Sequence, residues 1–178
     1  MSPEAKKGLV RILIADIPIV RLGLRKLLTL ESDFDVVGEA CDGGEVLEKV
    51  HQLKPDILLF DLWMPNLDGL ATLEELRRSE HQTQVIVFTA SEYRGGFVHA
   101  IRLGCRGIVL KQSDPELIIK SIRKVKAGEV YLDSHTTAAV MNEFSGSAPA
   151  TNEAATVTRE RKPLSARERE IVALIAQG

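Results

Sequence analysis

The sequence predicts an α/β fold built on a doubly wound, five-stranded parallel sheet, and three observations carry that prediction. Short apolar runs alternate with amphipathic helical patterns from Arg11 to Gly128. The runs are apolar almost throughout rather than at every second residue, as in strands covered on both faces. Repeated β-α units also require right-handed crossovers, which put helices on both sides of the sheet.

The first run is RILIA (11–15), and the helical pattern behind it carries Val20, Leu24, Leu27 and Leu28. FDVVGEA (34–40) is the second run, followed by Val46, Val50 and Leu53. The third, DILLF (56–60), lies between Pro55 and a turn signal at Met64-Pro65, and leads to Leu70, Leu73 and Leu76. QVIVF (84–88) precedes a helix over roughly Arg94 to Leu103, with Gly95-Gly96 near its start. GIVL (107–110) precedes the fifth helix. There Asp114 caps, Pro115 takes the first helical position, Ile118 or Ile119, Ile122 and Val125 form the stripe, and Gly128 stops it.

The character changes after Leu132. SHTTAAVMNEF (134–144) reads as a short helix capped by Ser134, and residues 145–163 are small and polar, as in a flexible linker. LSAREREIVALIAQG (164–178) then shows Ser165 and Glu168 in capping-box spacing, an Ile171/Leu174/Ile175 stripe and Gly178 as a C-cap. A single helix cannot bury its own face, so this segment reads as the first helix of a truncated second domain. The expected division is an α/β domain over 9–130, a short helix and flexible linker over 131–163, and that helix over 164–178.

Composition narrows the function classes. An apolar fraction of 44% and a charged fraction of 27% are those of an ordinary globular protein. A net charge of −2 supplies no basic field to draw the chain to nucleic acid or membrane. Cys41 and Cys105 lack metal-binding or CxxC spacing, which points to a reducing, cytoplasmic setting. No apolar stretch is long enough to span a membrane, and Met1 to Gly8 carries charges where a signal peptide needs an apolar core.

The chemistry-bearing residues fall just past the apolar runs: Asp16 after the first, Asp61 after the third, Thr89 after the fourth and Lys111 after the fifth. In an open parallel sheet, ligands bind outside the carboxyl ends of the strands. Two acids, a hydroxyl and an ammonium there suit phosphoryl chemistry on a carboxylate. The acids would hold Mg2+, Asp61 would attack phosphorus, and Lys111 would neutralise the transferring group. Asp68 reads as the cap of the third helix, and the four histidines show no shared ligand spacing. RERK (159–162) reads as a solvated linker run, and no glycine-rich phosphate loop is present.

The motifs LIAD, ILLFDLWMPNLDG, VIVFTA and GCRGIVLK resemble those of the receiver domains of two-component response regulators across roughly residues 10–128. LSAREREIVALIAQG looks like the opening of a LuxR-type helix-turn-helix, as in NarL/FixJ-type regulators. The resemblance implies a flavodoxin-like (βα)5 receiver whose Asp61 accepts phosphate from a sensor histidine kinase. It implies Mg2+ held by Asp16, Asp61 and the backbone carbonyl of Trp63, with Thr89 and Lys111 reading the phosphoryl group. A homodimer is expected, with DNA bound only through helix-turn-helix residues beyond this sequence. No catalysis is expected beyond slow self-catalysed phosphotransfer and dephosphorylation.

Two departures qualify that expectation. The family usually has two adjacent acids before the proline of the first loop, whereas ADIP has one. Counted back from Pro18, Asp16 is the second acid and Ala15 replaces the first; counted forward along the strand, one residue is deleted. A carboxylate lost about 5 Å from a metal forfeits roughly 3 kcal/mol of Coulomb energy at a dielectric near 20, which predicts weakened Mg2+ binding. Receivers often carry an aromatic switch residue three positions before the lysine, and here Ile108 stands there. The alternative function is therefore a degenerate receiver that serves as a phosphorylation-independent dimerisation or interaction module. A small-phosphoester hydrolase is a third class, opposed by the lack of a DxD motif after the first strand.

Overall fold

The computed structural model describes residues 8–64, 68–79, 81–90 and 94–144. The predicted linker over 145–163 and helix over 164–178 lie outside the described residues. Within them the elements run β1 (Val10–Ala15), α1 (Pro18–Leu28), β2 (Phe34–Ala40), α2 (Gly43–Leu53), β3 (Ile57–Phe60) and α3 (Gly69–Arg78). They continue β4 (Gln84–Thr89), α4 (Arg94–Arg102), β5 (Gly107–Leu110), α5 (Pro115–Lys126), β6 (Tyr131–Leu132) and α6 (Ser134–Phe144). All strand pairs are parallel, in the order β2-β1-β3-β4-β5-β6. The order reverses between β1 and β3, which places a crevice beyond the ends of those two strands.

The all-apolar strands are explained by a core on each face. On one face, Leu13, Ala15, Leu58, Phe60, Val85, Val87, Ile108 and Leu110 pack with residues of α2, α3, α4 and α6. On the other, Ile12, Ile14, Ile57, Leu59, Ile86, Phe88 and Val109 pack with Leu24 and Leu28 of α1 and Ile118, Ile122 and Val125 of α5. Successive side chains of a strand point to opposite faces, so odd and even positions feed separate cores. Both cores are filled by branched and aromatic side chains, whose burial contributes about 1.5–3 kcal/mol each.

Helix ends follow the sequence signals in most cases. The Asp68 carboxylate accepts the Ala71 N–H at 3.0 Å, and Asp114 accepts that of Glu116 at 2.8 Å. Gly128, at φ +91°, ends α5, its N–H donating to Val125 O while Glu129 N–H donates to Lys124 O. That pair of bonds is the Schellman arrangement, which wants glycine at its left-handed position. Two features differ from expectation. A sixth strand, β6, adds two residues beside β5, too few to leave a periodic signal. The cap of α6 is Asp133, whose carboxylate accepts the Thr136 N–H at 2.6 Å, and Ser134 is already helical. Asp133 sits three residues before the free N–H, the spacing an N-cap carboxylate needs. Val140 of α6 is fully buried in the core that holds Phe97 and Ile101 of α4.

Two glycines in helices have opposite surroundings. A Cβ on Gly69, the first residue of α3, would lie 2.5 Å from the carbonyl oxygen and 2.6 Å from the Cα of Leu62. One on Gly23, mid-way along α1, would meet nothing within 4 Å. Gly69→Ala is therefore expected to cost about 1–3 kcal/mol through backbone displacement, while Gly23→Ala stabilises by about 1 kcal/mol. Urea unfolding of both variants checks the pair, and two changes of the same sign would contradict it.

Candidate functional site

Asp16 and Asp61 are neighbours because β1 and β3 are. Ala15 and Phe60 are paired across the two strands, and each acid is the next residue. The Asp61 N–H donates to Ala15 O at 3.0 Å, prolonging the ladder to the acid itself. Ala15 is fully buried in the core with Leu13, so the residue before Asp16 brings no carboxylate to the site.

Lys111 is the first residue past β5, and its N–H donates to Thr89 O at 2.8 Å. Its side chain reaches back over the sheet end. The ammonium donates to Asp16 Oδ1 at 2.8 Å and to Asp61 Oδ2 at 2.6 Å. Asp16 and Asp61 are 1% and 5% exposed, so two buried carboxylates share one cation. Their other bonds are main-chain: Ile17 N–H to Asp16 Oδ1 at 2.7 Å and Trp63 N–H to Asp61 Oδ1 at 3.0 Å. Every carboxylate oxygen is thus engaged except Asp16 Oδ2, which is buried without a hydrogen-bond partner. A buried anionic oxygen with no donor is a costly thing to keep, and it is the kind of ligand a hard cation takes.

The remaining predicted residues are not all at this point. Thr89 is buried at the end of β4, beside the lysine that follows β5. Trp63 is half exposed at the rim. Ile108 is fully buried and pairs with Val87, well inside the core rather than at a surface where it could rotate. The sequence reading missed Arg21 and Glu39. Arg21 Nη1 donates to the Asp16 carbonyl at 2.6 Å, and its Nε donates to Glu39 on β2 at 2.9 Å. An arginine in the first turn after a strand-end acid was visible, but its anchor on another strand was not. Cys41, Asp42 and Glu45 also converge on the surface, where Asp42 caps α2 and Glu45 pairs with Lys49.

Three comparisons bear on this geometry. The family described as response regulator receiver domain matches residues 12–123. The chain is 36% identical over 167 residues to the nitrate/nitrite response regulator protein NarL of Escherichia coli K12, covering 94% of this chain and 74% of that protein. It is 36% identical over 171 residues to the oxygen regulatory protein NreC of Staphylococcus aureus, covering 95% and 78%. Among solved structures, a LuxR-family two-component response regulator from Aurantimonas superposes with a TM-score of 0.71 at 29% identity. That match covers 76% of this chain and 97% of that one.

Burial raises the Asp16 carboxyl above its ordinary value of 3.8, although the hydrogen bond from Lys111 pulls the other way. The folded chain then holds a proton there more tightly than the unfolded chain does. Stability falls as pH rises from that ordinary value through the raised native one, and the penalty is in force at neutral pH. Asp16→Asn is expected to be more stable than the parent at pH 7 in metal-free buffer, with the gap narrowing towards pH 4. Denaturant titrations at both pH values check this. A less stable variant at pH 7 would mean that pairing with Lys111 outweighs burial.

Proposed function

This chain belongs to the response regulator receiver family and is a response regulator of the NarL and NreC type, and on that premise we propose that Asp61 is its phosphoacceptor. The donor is a phosphohistidine of a sensor histidine kinase. The observation that carries the reading is the Lys111 ammonium bonded to both strand-end carboxylates, with Asp16 Oδ2 left open beside them. A carboxylate oxygen of Asp61 attacks phosphorus. The new O–P bond forms as the P–N bond of the donor breaks, and the imidazole leaves.

A change of charge at Asp61 then drives the response. One carboxylate charge becomes about −1.5 to −2 on the phosphoryl group, by analogy with other phosphoresidues. Lys111 transfers its hydrogen bond from the Asp61 carboxylate to a phosphoryl oxygen, and the Thr89 hydroxyl donates to another. Asp16, Asp61 and the backbone carbonyl of Trp63 would hold Mg2+, which supplies Lewis-acid neutralisation of the transferring group. The unpartnered Asp16 oxygen fits that cation. A single neighbouring acid at the end of β1 leaves the site a carboxylate short and its Mg2+ weakly held.

Ile108 has no rotation to offer as a signal. The route from Thr89 runs instead through α4, the next helix in sequence, and through α6, packed on it. Phosphorylation in this reading governs homodimerisation and the helix-turn-helix part that residues 164–178 open, and through it transcription.

Acetyl phosphate with Mg2+, read by intact mass and sedimentation, tests the assignment. The parent is expected to gain one phosphoryl group and to shift in sedimentation, and Asp61→Asn to do neither. If the parent stays unmodified at high Mg2+, the chain works as a phosphorylation-independent interaction module instead.

A further inference from the structure

The turn between β1 and α1 is fastened by a side chain from within the helix. No side chain caps α1 at Ile17, where serine, threonine or aspartate would commonly stand. Arg21 takes hold of the turn from the other end. Its Nη1 donates to the Asp16 carbonyl at 2.6 Å, and its Nε donates to Glu39 Oε2 at 2.9 Å, with the side chain only 17% exposed. Glu39 is itself held, by Arg25 at its carboxylate and by Lys49 Nζ on its carbonyl at 2.6 Å. The planar guanidinium suits two divergent acceptors at once, which a lysine ammonium on a flexible stem does not reproduce.

We infer that Arg21 is a positioning residue for Asp16, locking the peptide so that Asp16 Oδ2 stays turned into the site. Asp16 Oδ1 is already taken by Ile17 N–H and Lys111, so cation binding from this residue depends on the orientation of the second oxygen. The missing neighbouring acid makes that orientation matter more. Ala15 can supply no carboxylate to compensate for a misdirected Asp16. This inference rests on the reading of Asp16 as a Mg2+ ligand.

Charge and positioning predict opposite results, which makes the assignment testable. Removing a positive group near a dication site tightens Mg2+ binding by Coulomb's law alone. Loss of the grip on Asp16 weakens it, and outer-shell partners of metal ligands are commonly worth tenfold or more in affinity. The test is Mg2+ titration of the 178-residue chain, read by the fluorescence of Trp63, its sole tryptophan, and by calorimetry. Arg21→Ala is expected to raise the Mg2+ dissociation constant on the order of tenfold. Arg21→Lys should recover part of the loss. Arg25→Ala is expected to stay close to the parent, because Arg25 bonds Glu39 but not the Asp16 carbonyl. Glu39→Gln, which keeps an acceptor for Arg21, is expected to fall between parent and Arg21→Ala, and it serves should Arg21→Ala fail to fold. An Arg21→Ala chain binding Mg2+ as tightly as the parent, or tighter, overturns the inference. A Glu39→Gln chain indistinguishable from the parent overturns it as well. A parent that binds no Mg2+ overturns the metal reading of Asp16, and the inference with it.

Discussion

The structure turns on one ammonium between two buried carboxylates. Lys111 lies 95 residues from Asp16 and 50 from Asp61, yet it bonds both. Contacts so distant in sequence form only after the sheet has closed the intervening chain, so the cluster is a product of the whole fold. Once formed, it cannot lose its cation cheaply. Without the cation, two acids would face each other at low dielectric, and breaking a buried pair costs far more than an exposed one contributes.

The sheet delivers those residues by a simple rule. The β1–β3 and β4–β5 pairings run without a register shift, so residues that follow paired positions arrive side by side at one edge. Ala15 with Phe60, and Thr89 with Leu110, are such pairs, and Asp16, Asp61 and Lys111 each follow one of them. Because β1, β3, β4 and β5 are packed on both faces, they cannot slip by one residue without exchanging their two cores. Catalytic-type precision at the edge is thereby inherited from apolar packing in the middle. Arg21 and Glu39 extend the same logic outwards, tying the first turn of a helix to the strand on its far side.

Much of this was legible in the sequence, for identifiable reasons. Runs such as ILLF and QVIVF admit one reading when each is followed by an amphipathic pattern, and the caps at Asp68 and Asp114 announce themselves locally. Asp16, Asp61, Thr89 and Lys111 could be singled out because strand ends concentrate function and each stood just past an apolar run. What stayed hidden was non-local or too short. The two residues of β6 carry no period. The start of α6 hung on whether Asp133 or Ser134 caps it, a one-residue choice between two capable side chains. Arg21 looked like any charge on a helix until Glu39 was placed beside it by strand pairing.

The two-residue strand β6 has a bearing on solubility. An open sheet ends in edges, and an edge with a long row of free amides and carbonyls invites another chain to add its own strand. Here the sheet stops at Tyr131-Leu132 and the backbone turns at once into α6. That is too short a template for a neighbouring chain to extend. The opposite edge, β2, carries an exposed charge at Asp35, a device that discourages another strand from adding there. The described sheet margins thus offer little room for fibre-like growth.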